Sequence, residues 1–588
     1  MRTSRVVRRL CVVMVGTLTS LTLVGISAST WGSVGASAAP VKVTTFTPAI
    51  TPVGSVDLST LQVPSTSVAT AAQGASPDVN RAAPAPHVVD PQAAAHRPAG
   101  TAPTSPTAAA DPVTSKNVSR EGGFVGLTGP AQAAANGGLD LEPPDQGLCA
   151  GRGYVTEFIN NALTIYQPDG VQLLPVIPSY AIFKQPSTAF FSDPRCYYDA
   201  PTQRWFLQEF IVGTVGANGK STSPSLQFLA VSDTSDPTGS YSIWSIDTTD
   251  AATANCPCFG DYDQIGADDN GIYIATDEFS TAGSGYNGVV LYALSKELIE
   301  TYSSTGIPPV AFGYRINQDY FGQPYLLSPT ETPQGAQFAK DTEYFVESNG
   351  NAVSDDHLAV YALKNTSLLA APAPPNLYRT EVTSEAYAAP FDAKQASGPR
   401  PLGASVQDPE GQLQTDFDSV MQTTYLKGHV YGELNTSMTG GNDAAAWFVL
   451  TPKWSGPTLS ATVARQGYVA PQGLSVLYPI TAIDAHGHGY MAFAVSGRGI
   501  YPSAAYVSYG AQGPTGPVRI ASAGAAPEDS FTCYAAFVGP SYGGCRWGDY
   551  SMGVASGGHV YLATEMVPPG SRDYLTNWGT YIWNAPAR

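Results

Sequence analysis

Two stretches of this chain nearly copy one another. Cys258 to Phe279 reads CFGDYDQIGADDNGIYIATDEF, and Cys545 to Met566 reads CRWGDYSMGVASGGHVYLATEM. Gly260-Asp261-Tyr262 aligns with Gly548-Asp549-Tyr550, Gly266 with Gly553, and GIYIATDEF with HVYLATEM. The unit is a Gly/Asp/aromatic start, a strand, a tight turn and a second strand, and such self-similarity constrains the fold before any local motif does. Weaker copies fit the same template. SDPRCYYDAPTQRWFLQEF carries Asp193, TDFDSVMQTTYLKGHVYGELN carries Asp416 and Asp418, and PPDQGLCAGRGYVTEFINN carries Asp145 at its start. YPITAIDAHGHGYMAFAV keeps the strand-turn-strand but starts on Tyr478-Pro479, and GAQFAKDTEYFVES is the poorest copy. About seven units result, typically spaced by roughly 60 to 80 residues.

Further strand-like runs follow these starts, among them NGVVLYALSK, DHLAVYALKN and AAAWFVLTPK. Asn270-Gly271, Asp169-Gly170 and Gly487-His488-Gly489 supply turns that need φ > 0. Only LSKELIETYS has a helical period, and it is too short to carry a fold. Repeats of about four strands without helices predict an all-β chain, a β-propeller of seven blades, with six or eight also compatible with the count. A repeat architecture also accounts for the size. About 470 residues follow Arg120, whereas a single hydrophobic core stops growing near ~250 to 300.

Ahead of the repeats, Arg2, Arg5, Arg8 and Arg9 precede the apolar run LCVVMVGTLTSLTLVGISA and the small residues GASAAP, the three-part layout of a secretory leader. Residues 1–38 are expected to be that leader, cleaved near Ala38. Cys11 stands at the start of the run, so lipid attachment is not expected. No other run reaches ~18 consecutive apolar residues, so no membrane insertion is expected after cleavage. Residues 39–119, rich in Ala, Pro, Ser and Thr and almost without aromatics, cannot bury enough apolar surface to offset ordering, and are expected to be a disordered linker. Residues 120–588 are the expected propeller domain.

The formal net charge is −18, which argues against nucleic acid or an anionic membrane as the main partner. An exported chain with an even number of remaining cysteines is expected to form disulfides. Cys533 with Cys545 would close a short Gly-rich loop, and Cys149 with Cys196 would join neighbouring repeats. Cys256 and Cys258, separated by Pro257 alone, make an awkward bridge and are open to pairing elsewhere. Zinc is disfavoured because no second pair of cysteines and no nearby histidine completes a ligand set.

In a propeller, Asp145, Asp193, Asp261, Asp416, Asp418 and Asp549 would collect near one end of the central channel, joined by Arg195 and Arg546. Converging carboxylates suit Ca²⁺, for which Asp261 and Asp549 are the named candidates, although water or sodium would also serve. The plainer reading is framework, with each carboxylate accepting backbone N–H bonds where the repeats crowd. Glu157, Glu209, Glu278, Glu433 and Glu565 recur near the end of the second strand of a unit. A residue that follows the repeat is structural more often than catalytic. Asp268-Asp269-Asn270-Gly271 lacks the spacing and terminal Glu of a calcium loop and is expected to be a hairpin turn. SDPTGSYSIW, Ser235 to Trp244, loosely resembles the Asp-box turn of sialidases, itself a folding element. GPSYG, Gly539 to Gly543, matches the Gly-x-Ser-x-Gly pattern but lacks its strand-turn-helix context.

SDPRCYYDAPTQRWF, VSDTSDPTGSYSIWSIDT, GDYDQIGADDNGIYIATDEF, CRWGDYSMGV and NWGTYIW together resemble a group of exported bacterial β-propeller proteins, some labelled sialidase-like. The resemblance runs from about Asp145 to Trp583. It implies architecture and carries no catalytic set. The expected function is a secreted binding or scaffold module, extracellular or cell-wall associated, whose partner is a carbohydrate or a surface protein. The alternative is an extracellular glycoside hydrolase using channel-end carboxylates, which requires a carboxyl pair flanking one bond in an open pocket. No catalytic residue is assigned.

Overall fold

The computed structural model describes residues 43–61, 113–114 and 122–587, less 217, 284, 318–320, 323, 351–353, 372, 410, 416, 540–543, 571 and 573–574. The expected leader, Asp416 and most of GPSYG therefore lie outside the described residues. Among those described, the chain forms six hydrogen-bonded sheets, and within each the strands follow one another largely in chain order. Seven strands open these runs: β1 (Gly147–Gly151), β2 (Phe191–Asp199), β3 (Cys258–Ala267), β4 (Ser328–Glu331), β5 (Thr423–Leu426), β6 (Ser475–Ile483) and β7 (Met552–Ser556). One eight-stranded sheet contains both β4 and β5, joined edge to edge by the short parallel pairing of Thr330 with Thr423 and Glu331 with Thr424. Consecutive strands within each run pair as antiparallel hairpins, the order of a propeller blade.

The hairpins form where the turn residues lead. Asp268 Oδ1 accepts from the amides of Asn270 and Gly271 at 2.8 and 2.7 Å, so the acidic run after β3 is a hairpin turn, as expected. Asp236 in SDPTGSYSIW likewise accepts from the amide of Thr238 at 2.9 Å, while Trp244 goes into the core at 1% exposure. In the poorest sequence copy, TEYFVES is the second strand of its run (Thr342–Ser348), and the opening strand lies upstream in β4. LSKELIETYS is a helix at Lys296–Thr305.

Apolar burial is divided among clusters between neighbouring sheets. Phe158 and Ile165 of the β1 sheet pack with Trp205 and Ile243 of the β2 sheet. Val346 and Val360 meet Val430 and Phe448 farther along. Leu148 and Val155 of the β1 sheet pack with Met552, Tyr561 and Ile582 of the β7 sheet, which joins the two ends of the chain. That last sheet is completed by an early strand, Gly123–Thr128, paired antiparallel with Gly579–Pro586.

The expected unstructured linker departs from the reading at three places. Thr44–Phe46 pairs with the strand Ala311–Ile316, Ile50–Asp57 pairs with Ser240–Asp247, and Val113–Thr114 pairs in parallel with Val518 and Arg519. Each adds a strand to the outer edge of a sheet built elsewhere. Composition does not reveal them, because an edge strand draws its hydrogen bonds from a finished sheet and needs little apolar surface of its own.

Cys149–Cys196 and Cys533–Cys545 are bonded as expected. Cys256 and Cys258, whose pairing the sequence leaves open, are bonded to one another. Their Cα atoms stand 4.6 Å apart, within the range a disulfide spans.

Candidate functional site

The starts of the opening strands share one backbone feature. Asp145, Asp193, Tyr262, Leu326, Tyr478 and Gly548 all have positive φ, between 29° and 56°. Five of these carry a side chain, for which that conformation costs on the order of 1 kcal/mol or more each. β2, β3 and β6 show register shifts at the same place, so the strand bulges as it starts. A bulge turns the backbone and re-aims the residues beside it. Tyr478-Pro479, which departs from the Gly-Asp-Tyr pattern in sequence, keeps the same local geometry.

The re-aimed groups clasp one sheet to the next. The amide of Asp549, before β7, donates to Asp145 Oδ1 before β1 at 2.8 Å. The amide of Tyr262 in β3 donates to Asp193 Oδ2 in β2 at 3.0 Å. The amide of Leu326, before β4, donates to Asp277 Oδ1 in the β3 sheet at 3.1 Å. Two second-strand glutamates do the same, Glu209 accepting from the amide of Asn161 and Glu433 from that of Thr481, each at 2.9 Å, whereas Glu565 accepts from the amide of Gly548 at 2.6 Å within its own run. Glu157 accepts from the amide of Leu127 at 2.9 Å and from Tyr166 Oη at 3.0 Å.

Several predicted residues meet around Asp549. Arg546 Nη2 donates to both of its carboxylate oxygens, at 2.5 Å to Oδ2, and Tyr262 Oη reaches Oδ2 at 3.3 Å. Arg195 lies with its guanidinium 3.6 Å from the centre of the Tyr550 ring, a cation–π contact. Its Nε donates to the Asp263 carbonyl at 2.7 Å, and Nη1 to Met552 Sδ at 3.2 Å. Asp261 accepts from the amide of Tyr262 at 3.1 Å. Asp418 stands before β5, where its carbonyl accepts from Ser348 Oγ at 2.8 Å.

All seven described candidates, Asp145, Asp193, Arg195, Asp261, Asp418, Arg546 and Asp549, are 2% exposed or less. They can hold sheets together, and almost none of their surface is accessible to solvent. Calcium fits this set poorly, because the two oxygens of Asp549 face a guanidinium. Among the described residues, Asp261 and Asp549 belong to no group of three ligands within 4.8 Å; Asp355, Asp356 and His357 on the strand Asp355–Lys364 form the one such group.

Sequence reasoning missed Asp263, whose Oδ2 accepts from Gln208 Nε2 at 2.6 Å and whose carboxyl is pushed well up by burial, then by Asp193. Its place two residues after Asp261 was the available signal, but only the bulge in β3 turns it toward Gln208. Also missed were Glu142, whose carboxyl feels the charge of Arg546, and its buried neighbour Glu528, which repels both Glu142 and Glu565. Burial raises all three, Glu528 to about 6, and their mutual repulsion raises Glu142 and Glu565 further. Thr532 joins this group to the arginine: Oγ1 donates to Glu142 Oε2 at 2.8 Å and accepts from the Arg546 amide at 3.0 Å.

An open hollow of about 600 Å³ lies at the other end of the β1 and β2 sheets, lined by Ser59, Arg152, Tyr154, Gln167, Leu173 and Thr238. Arg152 comes from the turn that follows β1 and Tyr154 opens the next strand, Tyr154–Ile159, at the end opposite Asp145. A smaller cavity of about 30 Å³ is lined by residues of β1, β2, β4, β5, β6 and β7, including Cys149, Glu331, Thr424, Ile483 and Val554. It has room for little more than a water or two.

No family model matches this chain, and no curated protein matches it. Among solved structures it is similar to an exo-β-1,3-galactanase from Clostridium thermocellum at 8% identity, covering 79% of this chain and 100% of that one, with a TM-score of 0.29. It is similar to a Trypanosoma rangeli sialidase at 9% identity, covering 67% and 54%, with a TM-score of 0.30. It is similar to the haemagglutinin-neuraminidase ectodomain of parainfluenza virus 5 at 8% identity, covering 66% and 78%, with a TM-score of 0.29. At TM-scores this low the likenesses carry no argument, and the fold rests on the sheets themselves. Among the described residues no helix is long and apolar enough to cross a membrane.

Proposed function

We propose that the chain is a secreted β-propeller of seven blades, closed by Gly123–Thr128 in the last blade, that acts as a binding or scaffold module outside the cell. The single observation that carries this reading is the burial of every described channel-end candidate, with the carboxylates of Asp145, Asp193, Asp261 and Asp549 engaged by amides, Arg546 or Tyr262. Support for the blade count comes from the seven opening strands, and support for closure from the apolar cluster shared by the β1 and β7 sheets. Export is supported by the leader-like N-terminus and by three disulfides.

The ligand class is carbohydrate, and the hollow beside Arg152 and Tyr154 is its proposed place. Hydroxyls of Ser59 and Thr238, the amide of Gln167, a guanidinium and one aromatic ring suit a polyhydroxylated ligand. The volume falls within the ~300 to 1,000 Å³ of small-molecule sites. A surface glycoprotein would present the same chemistry.

The test is a glycan and cell-wall polysaccharide binding screen with the purified protein, run beside chromogenic glycosides. Glycan binding weakened by Arg152→Ala and Tyr154→Ala, without turnover, is the expected result. Turnover abolished by replacing Asp263 or another channel carboxylate in a folded variant would replace this reading with hydrolysis.

A further inference from the structure

We propose that the Cys256–Cys258 disulfide is a thiol–disulfide exchange site, attacked by low-molecular-weight thiols at Cys256 and releasing Cys258 as a thiolate held by Asn287. The three disulfides differ in what they join. Cys149–Cys196 ties β1 to β2 with both cysteines 1% exposed, and Cys533–Cys545 closes a loop of 12 residues' separation. Cys256–Cys258 joins residues two apart. A bond spanning one intervening residue restricts very little of the unfolded chain, so it is a weak staple.

Its surroundings suit exchange instead. Asn287 Nδ2 donates to both sulfurs, at 3.1 Å to Cys256 and 2.9 Å to Cys258. Among the described residues no side chain donates to either of the other two disulfides. The amide is set for this task, because its Oδ1 accepts from Asn255 Nδ2 at 3.4 Å and its own carbonyl accepts from Asn317 Nδ2 at 2.8 Å. A donor aimed at sulfur favours the charged form of a thiol. A leaving thiol of lower pKa departs faster. Cys256 is partly exposed and can be approached, whereas Cys258 is fully buried beside Asn287.

The backbone would survive opening of the bond. The Pro257 carbonyl accepts from the amide of Thr281 at 2.8 Å and from its hydroxyl at 2.9 Å, and the Cys258 amide donates to the Thr249 carbonyl at 2.8 Å. The two sulfurs therefore stay adjacent and can re-form their bond. In the forward step a thiolate attacks Cys256 Sγ, the S–S bond breaks, and its electron pair passes to Cys258 Sγ. A second thiolate attacks the mixed disulfide at the external sulfur. This releases Cys256 as a thiolate and leaves the two external thiols oxidised to one disulfide. Two electrons pass from two thiols to the protein, and the two protons that the external thiols release on ionising balance the two protein thiolates.

The full chain, treated under native conditions with graded glutathione and then alkylated, would be mapped by mass spectrometry. Cys256 and Cys258 should become labelled at least about tenfold faster than the other four bonded cysteines. In the reduced protein, the pH midpoint for Cys258 alkylation should lie below the ordinary ~8.5 of a thiol and move toward it in Asn287→Ala. Asn255→Ala, which only frees the amide, should move it less in the same direction and serves if Asn287→Ala does not fold. Equal labelling of all three bonds, or an unmoved midpoint in a folded variant, would overturn the proposal.

Discussion

The amide of Asp549 donates to Oδ1 of Asp145 at 2.8 Å, joining residues 404 positions apart in the chain. That one bond ties the start of the last opening strand to the start of the first. Asp145 also accepts from Asn160 Nδ2 at 2.5 Å, so its carboxylate serves two donors at a fully buried position. Asp145→Ala removes the acceptor of the Asp549 amide and one of the two acceptors of Asn160 Nδ2, which keeps the Pro143 carbonyl, and should cost about 2 to 6 kcal/mol, at ~1 to 3 kcal/mol for each lost buried bond. Asp145→Asn keeps an acceptor and should cost clearly less. Chemical denaturation of the two variants decides the point; equal losses would mean that the charge, not the acceptor, matters.

The Arg546–Asp549 pair is buried, at 2% and 0% side-chain exposure. Removing one member of such a pair costs about 3 to 5 kcal/mol, because the other charge is left without compensation. Arg546→Met should therefore be severely destabilising, and Arg546→Met with Asp549→Asn should recover much of the loss. A double variant no more stable than Arg546→Met alone would place the arginine's value in the charge it sets beside Glu142.

Stability should fall as pH rises from about 4.5 to about 8. Burial pushes the Glu157 carboxyl to about 7 and those of Glu278 and Glu433 to about 8, from an ordinary 4.5. Below 4.5 both folded and unfolded chains hold these protons. Above it the unfolded chain releases them first, so the stabilisation is lost progressively until the folded carboxyls ionise. Melting temperature measured across this range should decline, and Glu433→Gln should flatten the slope. A rising or flat profile would mean that these glutamates ionise normally in the fold.

Loss of Cys149–Cys196 should matter most among the disulfides. Its 47-residue separation gives a chain-entropy contribution of about 4 kcal/mol, against less than about 2 for Cys256–Cys258. Paired Cys→Ala variants compared by thermal unfolding test the order.

A chain beginning at residue 122 would lose Thr44–Phe46, Ile50–Asp57 and Val113–Thr114 and leave three sheet edges unpaired. Open edges template association, so size-exclusion chromatography should find this truncation aggregating where the full chain does not.

Much of the architecture was legible. The near-copy at Cys258 and Cys545, the hairpin signals and the alternation of strands are local in sequence, because each unit carries its own turns and opening residues. The disulfide Cys149–Cys196 was legible for the same reason, its cysteines falling in neighbouring units. The linker strands were not, since Ile50–Asp57 takes its partner from Ser240–Asp247, a sheet edge that exists only after folding.

Along the chain the repeat sets how often a carboxylate returns near the start of a unit, as at Asp145, Asp193, Asp261 and Asp549. What those carboxylates face is settled by folding. Positive φ at Asp145, Asp193 and Tyr262, with the bulges in β2 and β3, turns each start toward the next sheet, so amides and Arg546 meet the oxygens and solvent does not. Side-chain direction at a bulge depends on backbone angles that spacing along the chain cannot reveal.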